Sequence, residues 1–370
     1  MNLPLLTSRS RVMLFAPHPD DESLATGVFL QRAVAAGAAV RVVYATDGER
    51  NGWPQRVLEG KVRIGESDRR RWGARRQAEA LAALQTLGVA RECVEFLSLP
   101  DQGVTDLLLA GCDETVRRLA DVIRFWEPTH LLIPSAADTH PDHSGLAVLL
   151  GVAIDDHLPP QHEMTQLHYL VHGASQSFAR EAHELFSSPL EKKLKRRAIV
   201  SHVTQVALSR RRFLAYAKRP ERFMIGGREA MRACDGPIHS FLRERNELHL
   251  HVAFTLKPLR AEGASLYLLG HDGNGDLRRL RTTLPGRSVK IDLIDCATGA
   301  IACIGRYQGD AFSGEILLPL HGFVTSRAIF VKLDRRVWFF DEAGWIEIAA
   351  PVAQVTAFRP PLARRELAVA

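Results

Sequence analysis

Two short runs of this 370-residue chain gather side chains that bind a cation and move protons: His18-Pro19-Asp20-Asp21-Glu22 near the start, and His140-Pro141-Asp142-His143 further along. In the first, an imidazole and a carboxylate on a tight turn can converge on one ion. Ring nitrogen with carboxylate oxygen is a donor set that suits zinc or a similar first-row metal. Asp20, between those two ligands, is the natural base beside water at such an ion. The second run adds another imidazole pair, His140 and His143. Three protein ligands with one open position make a catalytic metal site rather than a structural one. Taken singly, each motif is as well read as a helix cap or a surface ion pair, with Asp21 and Ser144 as capping residues. Occurring together, the two runs point to a metal.

What must position them is legible in the surrounding alternation. Arg11 to Ala16 is a short apolar run ending at Pro17, which reads as a buried strand, and Glu22 to Ala36 carries apolar residues at helical spacing. The pattern recurs: Ala39 to Ala45 as strand, Ala74 to Leu87 as helix ended by Gly88, Cys93 to Leu97 as strand, Glu114 to Phe125 as helix, Thr129 to Pro134 as strand. Such βαβ alternation predicts a Rossmann-like, mostly parallel sheet with helices on both faces. Both histidine runs directly follow predicted strands, at the carboxyl edge where open α/β sheets bind ligands. From about Leu248 the texture changes to short alternating runs parted by turns such as Thr298-Gly299. These predict a smaller all-β unit, a sandwich, and divide the chain into residues 1–235 and 240–370 with a linker near Gly226 to Ile238. Asp272-Gly273-Asn274-Gly275-Asp276 starts like a calcium loop, but Leu277 stands where glycine belongs and Thr283 where the bidentate glutamate belongs, so a hairpin turn is expected.

With 46% hydrophobic and 24% charged residues the chain reads as folded, and it is long enough to bury two cores. No stretch approaches the roughly 18 to 20 apolar residues of a membrane helix. The apolar run before Arg9 and Arg11 is too short for a signal peptide. Five scattered cysteines without a CxxC pair give no sign of a thiolate zinc site or a disulfide framework, which fits a reducing cytoplasm. The net charge of +6 is concentrated between Arg56 and Arg76 and between Lys192 and Arg197. Clustered positive charge attracts phosphate and acidic lipid through the same field, so an anionic ligand or a peripheral membrane contact is compatible; nucleic acid is not expected as the partner. The oligomeric state is not legible.

Ala16-Pro17-His18-Pro19-Asp20-Asp21-Glu22 and His140-Pro141-Asp142-His143 together resemble the two signature motifs of the PIG-L/LmbE family of zinc-dependent N-deacetylases, whose members remove acetyl from N-acetylglucosamine-containing molecules. The likeness extends through Thr46-Asp47-Gly48-Glu49, Arg76-Gln77-Ala78-Glu79 before Leu87-Gly88, Leu99-Pro100-Asp101 and, weakly, Ser201-His202-Val203-Thr204-Gln205, over roughly residues 10 to 225. The resemblance implies that His18, Asp21 and His143 hold the metal, that Asp20 is the general base and that His140 is the electrostatic partner of the transition state. It also implies that Asp142 orients a histidine ligand and that Arg76 approaches the sugar. Asp101, after its strand, is a similar candidate for sugar hydroxyls. The expected cofactor is Zn2+, with Fe2+ or Co2+ fitting the same donors. A bound ion of this kind brings the pKa of water from about 15.7 toward about 7, so Asp20 need only accept a proton from acidified water. Attack on the acetamide then creates an oxyanion that the ion and a protonated His140 stabilise. Either Asp20 or His140 can return a proton to the departing amine.

The expected function is a metal-dependent hydrolase that removes acetyl from an N-acetylated amino sugar of the GlcNAc type, on a phosphate-bearing, lipid-linked or nucleotide-linked glycan precursor. The alternative is a carbohydrate-binding or scaffold protein with a vestigial metal site. The arginine-rich insertion of roughly residues 50 to 72 and the β-rich C-terminal third depart from the commoner family pattern and leave the substrate open. Trp53 and Trp72 bracket that insertion and are expected to anchor it. His162, His168 and His172 read as structural or exposed, and His202 carries no assignment.

Overall fold

The computed structural model describes residues 3–159, 164–173, 176–226, 236–254, 261, 263–334, 336–337 and 340–351. In strand β1 (Arg11–Ala16), Val12, Leu14 and Ala16 face one core layer, and Met13 and Phe15 the other. A strand apolar on both faces belongs inside a sheet covered on both sides. β1 accordingly lies between β2 (Ala39–Thr46), which leads on to β3 (Val94–Leu99), and β4 (His130–Pro134), which leads on to β5 (Thr165–Tyr169), all parallel. β6 (His183–Leu185) and β7 (Glu221–Ile225) complete a seven-stranded order β3-β2-β1-β4-β5-β7-β6, with β7 antiparallel to both neighbours. The strand order reverses between β1 and β4, the crevice in which open α/β sheets take ligands.

Helices α1 (Asp21–Ala25) and α2 (Gly27–Ala35) cover the Val12 face. The sequence predicts one helix there. It breaks at Thr26 because Glu221, arriving from β7, accepts the backbone N–H groups of Val28 at 2.7 Å and Phe29 at 2.9 Å and so caps a second helix. Buried Lys195 balances that carboxylate at 2.6 Å. The basic insertion forms α3 (Gly52–Glu59) and the first turns of α4 (Glu66–Leu87), which therefore starts well before the expected Ala74. Trp72 is fully buried and anchors α4, whereas Trp53 is 65% exposed, so only one of the two tryptophans does the expected anchoring. The Met13 face is covered by α5 (Val104–Ala110), α6 (Asp113–Trp126) and α7 (Pro141–His157). α8 (Gln176–Glu181) follows β5, and α9 (Pro189–Ser201) and α10 (Val203–Tyr216) pack back on the α1–α2 side.

The C-terminal unit is all-β, as expected, but it is one curled sheet; the two layers of the expected sandwich are arcs of a single antiparallel sheet nearly closed into a barrel. Its strands are β8 (Ile238–Arg243), β9 (Glu247–Ala253), β10 (Ser265–His271), β11 (Leu277–Thr283), β12 (Val289–Asp295), β13 (Ile301–Gly309), β14 (Ser313–Pro319) and β15 (Ile329–Asp334), with Ile346–Ile348 on the edge beyond β15. The free edges, β8 and Ile346–Ile348, are joined by a side chain: the Arg243 guanidinium donates to the carbonyls of Ile348 at 3.0 Å and Ala349 at 3.1 Å. Such a clamp hides two edges that would otherwise template pairing. Asp272 accepts the N–H groups of Asn274 and Asp276 in the β10–β11 hairpin, so that turn is structural, as its sequence predicts. β16 (Arg336–Val337) and β17 (Phe340–Asp341) form a small separate hairpin. The barrel docks on the α/β unit through Leu269, Leu277, Phe330 and Trp345, which join the Met13-side core. Asp156 of α7 ties it further, meeting His271 at 2.8 Å and Arg327 at 2.7 Å. The expected linker lies largely outside the described residues, as do Cys234 and His162. Among the described residues no helix is long and apolar enough to cross a membrane.

Candidate metal centre

Parallel strands end on a common edge, and here four of those ends deliver polar side chains to one place: His18 after β1, Asp101 after β3, the loop Ser135–His140 after β4 and His172 after β5, while the end of β2 brings the Gly48 carbonyl, which holds Arg76. At the centre, His18 Nδ1 and His143 Nε2 are 3.1 Å apart, and Asp21 Oδ2 lies 3.4 Å from the first and 3.2 Å from the second. Three donor atoms around one tetrahedral zinc, with bonds of about 2.0 to 2.2 Å, stand about 3.4 Å from each other. The triangle therefore fits a cation of that size. His140 brings a ring nitrogen to the same place, within 4.8 Å of those of His18 and His143.

The far sides of the two imidazoles are held by carboxylates, the usual way of fixing the tautomer and orientation of a metal-binding histidine. His18 Nε2 faces Asp142 at 3.1 Å and Asp101 at 3.3 Å, and His143 Nδ1 faces Asp138 at 3.1 Å. Asp142 is itself fixed by the N–H groups of Gln102 at 2.6 Å and Val104 at 3.1 Å. Gln102 adopts a φ of 56° to make this contact, a strained value for a non-glycine residue that the site's hydrogen bonds maintain.

The electrostatics report a demand for positive charge. Burial alone would lower both ligand histidines, yet the surrounding carboxylates more than offset it: His18 is held well above its ordinary value by Asp101, Asp142 and Asp21, and His143 is pushed up to about 9 by Asp21 and Asp138. Asp21, despite burial, is held well below the usual carboxylate range by His143 and His18. A divalent cation would supply that charge without protonating the ligands. His140 behaves differently. Burial, then the charges of His18, His143 and His172, drive it well below its ordinary value, which favours the neutral ring. Its Nδ1 accepts the Asp142 N–H at 3.2 Å, which leaves the ring proton on Nε2.

Asp20 is not a corner of this triangle and pairs with Arg76 instead. Burial raises its pKa, opposed chiefly by Arg76, whose Nη2 lies 3.3 Å from Asp20 Oδ2. A raised carboxylate suits a base working near neutrality. Arg76 is 3% exposed and also donates to the carbonyls of Gly48 and Pro19, so its guanidinium is held facing Asp20. Gly48, at φ 65°, has no room for a Cβ, which would overlap that guanidinium. Asp101 is likewise buried, accepting the Arg50 N–H at 2.6 Å as well as facing His18.

Four site residues escape the sequence reading. Asp138 is a hub: it accepts from the N–H groups of His140, Val171 and His172 and orients His143. Its position five residues before His143 was the available signal. His172 packs its ring 4.9 Å from His143, and burial pushes it down to about 4; its place just past a strand beside β4 could have flagged it. His202 meets Glu22 at 2.8 Å, buttressing α1 from behind. Phe340, from the C-terminal unit, had no sequence signal. Replacing Asp138 by asparagine is expected to weaken zinc affinity about 10- to 100-fold, measured by competition with a chromogenic chelator; unchanged affinity would remove Asp138 from the ligand-orienting role.

The PIG-L family model (GlcNAc-PI de-N-acetylase) matches residues 13–154. The 1D-myo-inositol 2-acetamido-2-deoxy-alpha-D-glucopyranoside deacetylase of Mycobacterium avium is 34% identical over 157 residues, covering 36% of this chain and 47% of that protein. The mycothiol S-conjugate amidase of Streptomyces coelicolor is 30% identical over 148 residues, covering 37% and 49%. The chain thus spans about half the length of the curated relatives it matches. The N,N'-diacetylchitobiose deacetylase of Pyrococcus horikoshii, solved with its inhibitor MPG, aligns with 20% identity and a TM-score of 0.46 over 59% of this chain and 84% of that one. Over residues 13–154, the stretch that carries both histidine runs, the chain matches the PIG-L/LmbE family of deacetylases.

Proposed function

We propose that this protein is a zinc-dependent N-deacetylase that hydrolyses the acetamide of a GlcNAc-type amino sugar on a phosphate-bearing or lipid- or nucleotide-linked carrier. The observation that carries the reading is the triangle of His18, Asp21 and His143 donors at 3.1 to 3.4 Å, with a separate carboxylate, Asp20, beside it and a neutral imidazole, His140, over it. The names of the two curated relatives, an inositol-linked acetamido-glucopyranoside deacetylase and a mycothiol conjugate amidase, support an amide of an amino sugar as the substrate class.

Zinc, when bound, supplies acidified water and polarises the amide carbonyl. The residues of the chain do the rest. Asp20, ionised and held by Arg76, accepts the proton of the attacking water. His140 presents its Nε2–H to the carbonyl oxygen as negative charge develops there; an oxyanion donor of this kind contributes about 2.7 to 4 kcal/mol. Because His140 is neutral and donates through its one ring proton, Asp20 is the group that returns a proton to the departing amine. Asp138 and Asp142 keep the ligand rings in register.

The test is a screen of acetylated amino sugars, free and on phosphate, inositol or nucleotide carriers, for acetate and amine release before and after chelation. Chelator-sensitive release with a preference for anionic carriers is the expected result. Sugar binding with neither zinc nor release would mean a binding module instead.

A further inference from the structure

Nothing in the family match, which ends at residue 154, assigns a role to the C-terminal barrel. Its segment 340–345 lies against the loop that carries His140. The Asp341 N–H donates to the Thr139 carbonyl at 2.9 Å and the Trp345 N–H to the Ala136 carbonyl at 2.7 Å. Between them Gly344 comes so close that a Cβ would overlap the Ala136 carbonyl oxygen and crowd that of Asp138. Trp345 is 1% exposed and belongs to the α/β core, so the segment is pinned at one end by apolar burial and at the other by the hydrogen bond. The loop it braces holds Asp138, the hub that fixes His140, His143 and His172.

At the tip of this segment the Phe340 ring stands edge-on to His140, at 5.7 Å and 80°, and lies 5.1 Å from His172. His140 in turn contacts His18 at 4.7 Å and His143 at 5.0 Å. The rings thus pass from the β16–β17 hairpin of the C-terminal unit through His140 to His18 and His143. Edge-to-face aromatic contacts of this kind have a preferred geometry and add to burial. Among the described residues His140 has a single backbone hydrogen bond to its ring, the Asp142 N–H at Nδ1, which leaves rotation about that bond to be limited by the neighbouring rings.

We infer that the C-terminal unit completes the catalytic site in the same chain through its β16–β17 hairpin, with Phe340 as a positioning residue that holds the His140 imidazole in its working orientation. The inference rests on the deacetylase reading for its kinetic readout. A positioning residue loses its effect once the residue it positions is gone, so the test is a double-mutant cycle.

In Phe340→Ala, kcat should fall about tenfold with KM within about twofold and zinc content unchanged. In a His140→Ala background the same substitution should cost less than about twofold. Phe340→Tyr, which keeps the ring, should retain kcat, and hydrogen exchange of the amides of residues 136–143 should quicken in Phe340→Ala. If Phe340→Ala lacks a cooperative melting transition, Phe340→Leu, with bulk but no ring, carries the same cycle. Wild-type kcat in the ring-less variant overturns the inference, as does an equal loss with and without His140, or zinc loss in step with activity. Should the unaltered chain release no acetate from any acetylated sugar, the deacetylase reading falls separately, and the exchange measurement decides alone: unchanged protection of 136–143 overturns the brace.

Discussion

Replacing His143 or Asp21 by alanine is expected to strip zinc from the protein and take acetate release down to the uncatalysed background. Each residue contributes one corner of a triangle whose sides are 3.1, 3.2 and 3.4 Å, and a catalytic site with three protein ligands has none to spare. The activity lost is large because acidification of water from a pKa of about 15.7 to about 7 spans roughly nine orders of magnitude. Asp21→Ala removes the only carboxylate of the triangle and leaves two imidazoles facing each other, with the negative charge that raises His143 reduced to that of Asp138. Elemental analysis and acetate release on the same sample check this. Melting adds an independent reading: a ligand bound only by the folded state stabilises by mass action, so a chelator should lower the Tm of the unaltered protein and leave that of the variants unmoved. A full complement of zinc in His143→Ala would put the metal elsewhere.

Asp20→Asn should behave in the opposite way toward metal. Zinc stays, since Asp20 faces Arg76 rather than the triangle, while kcat falls about 10²- to 10⁴-fold, the usual contribution of a positioned acid–base group. The pH dependence sharpens the test. In the proposed mechanism Asp20 acts as base when ionised, and its pKa lies above the ordinary carboxylate value because burial outweighs the attraction of Arg76. In Arg76→Met that attraction is gone, the pKa rises further, and the acid limb of the kcat profile should move to higher pH. Arg76→Lys, which keeps the charge, should shift it less. A change confined to KM in Arg76→Met, with the acid limb in place, would return Arg76 to the sugar-binding role its motif implies.

Local spacing was enough to determine a good deal. The apolar runs at Arg11–Ala16 and His130–Pro134 are short, continuous and followed by turn residues, which dictates buried strands and puts both histidine runs at strand ends. His18 and Asp21 share one turn, so their convergence is a matter of neighbouring dihedral angles. The alternating runs after Leu248 dictate strands, one at a time. Tertiary structure alone decided how these pieces meet. That Glu221 splits the first helix, that Arg243 seals the barrel, that Arg76 turns toward Asp20 and that Phe340 reaches His140 all depend on groups many residues apart. Sequence period reports which face of an element is apolar, because that depends on a few adjacent residues. It carries no information on which distant backbone N–H a buried carboxylate will satisfy, because that follows from strand order and register across the whole sheet.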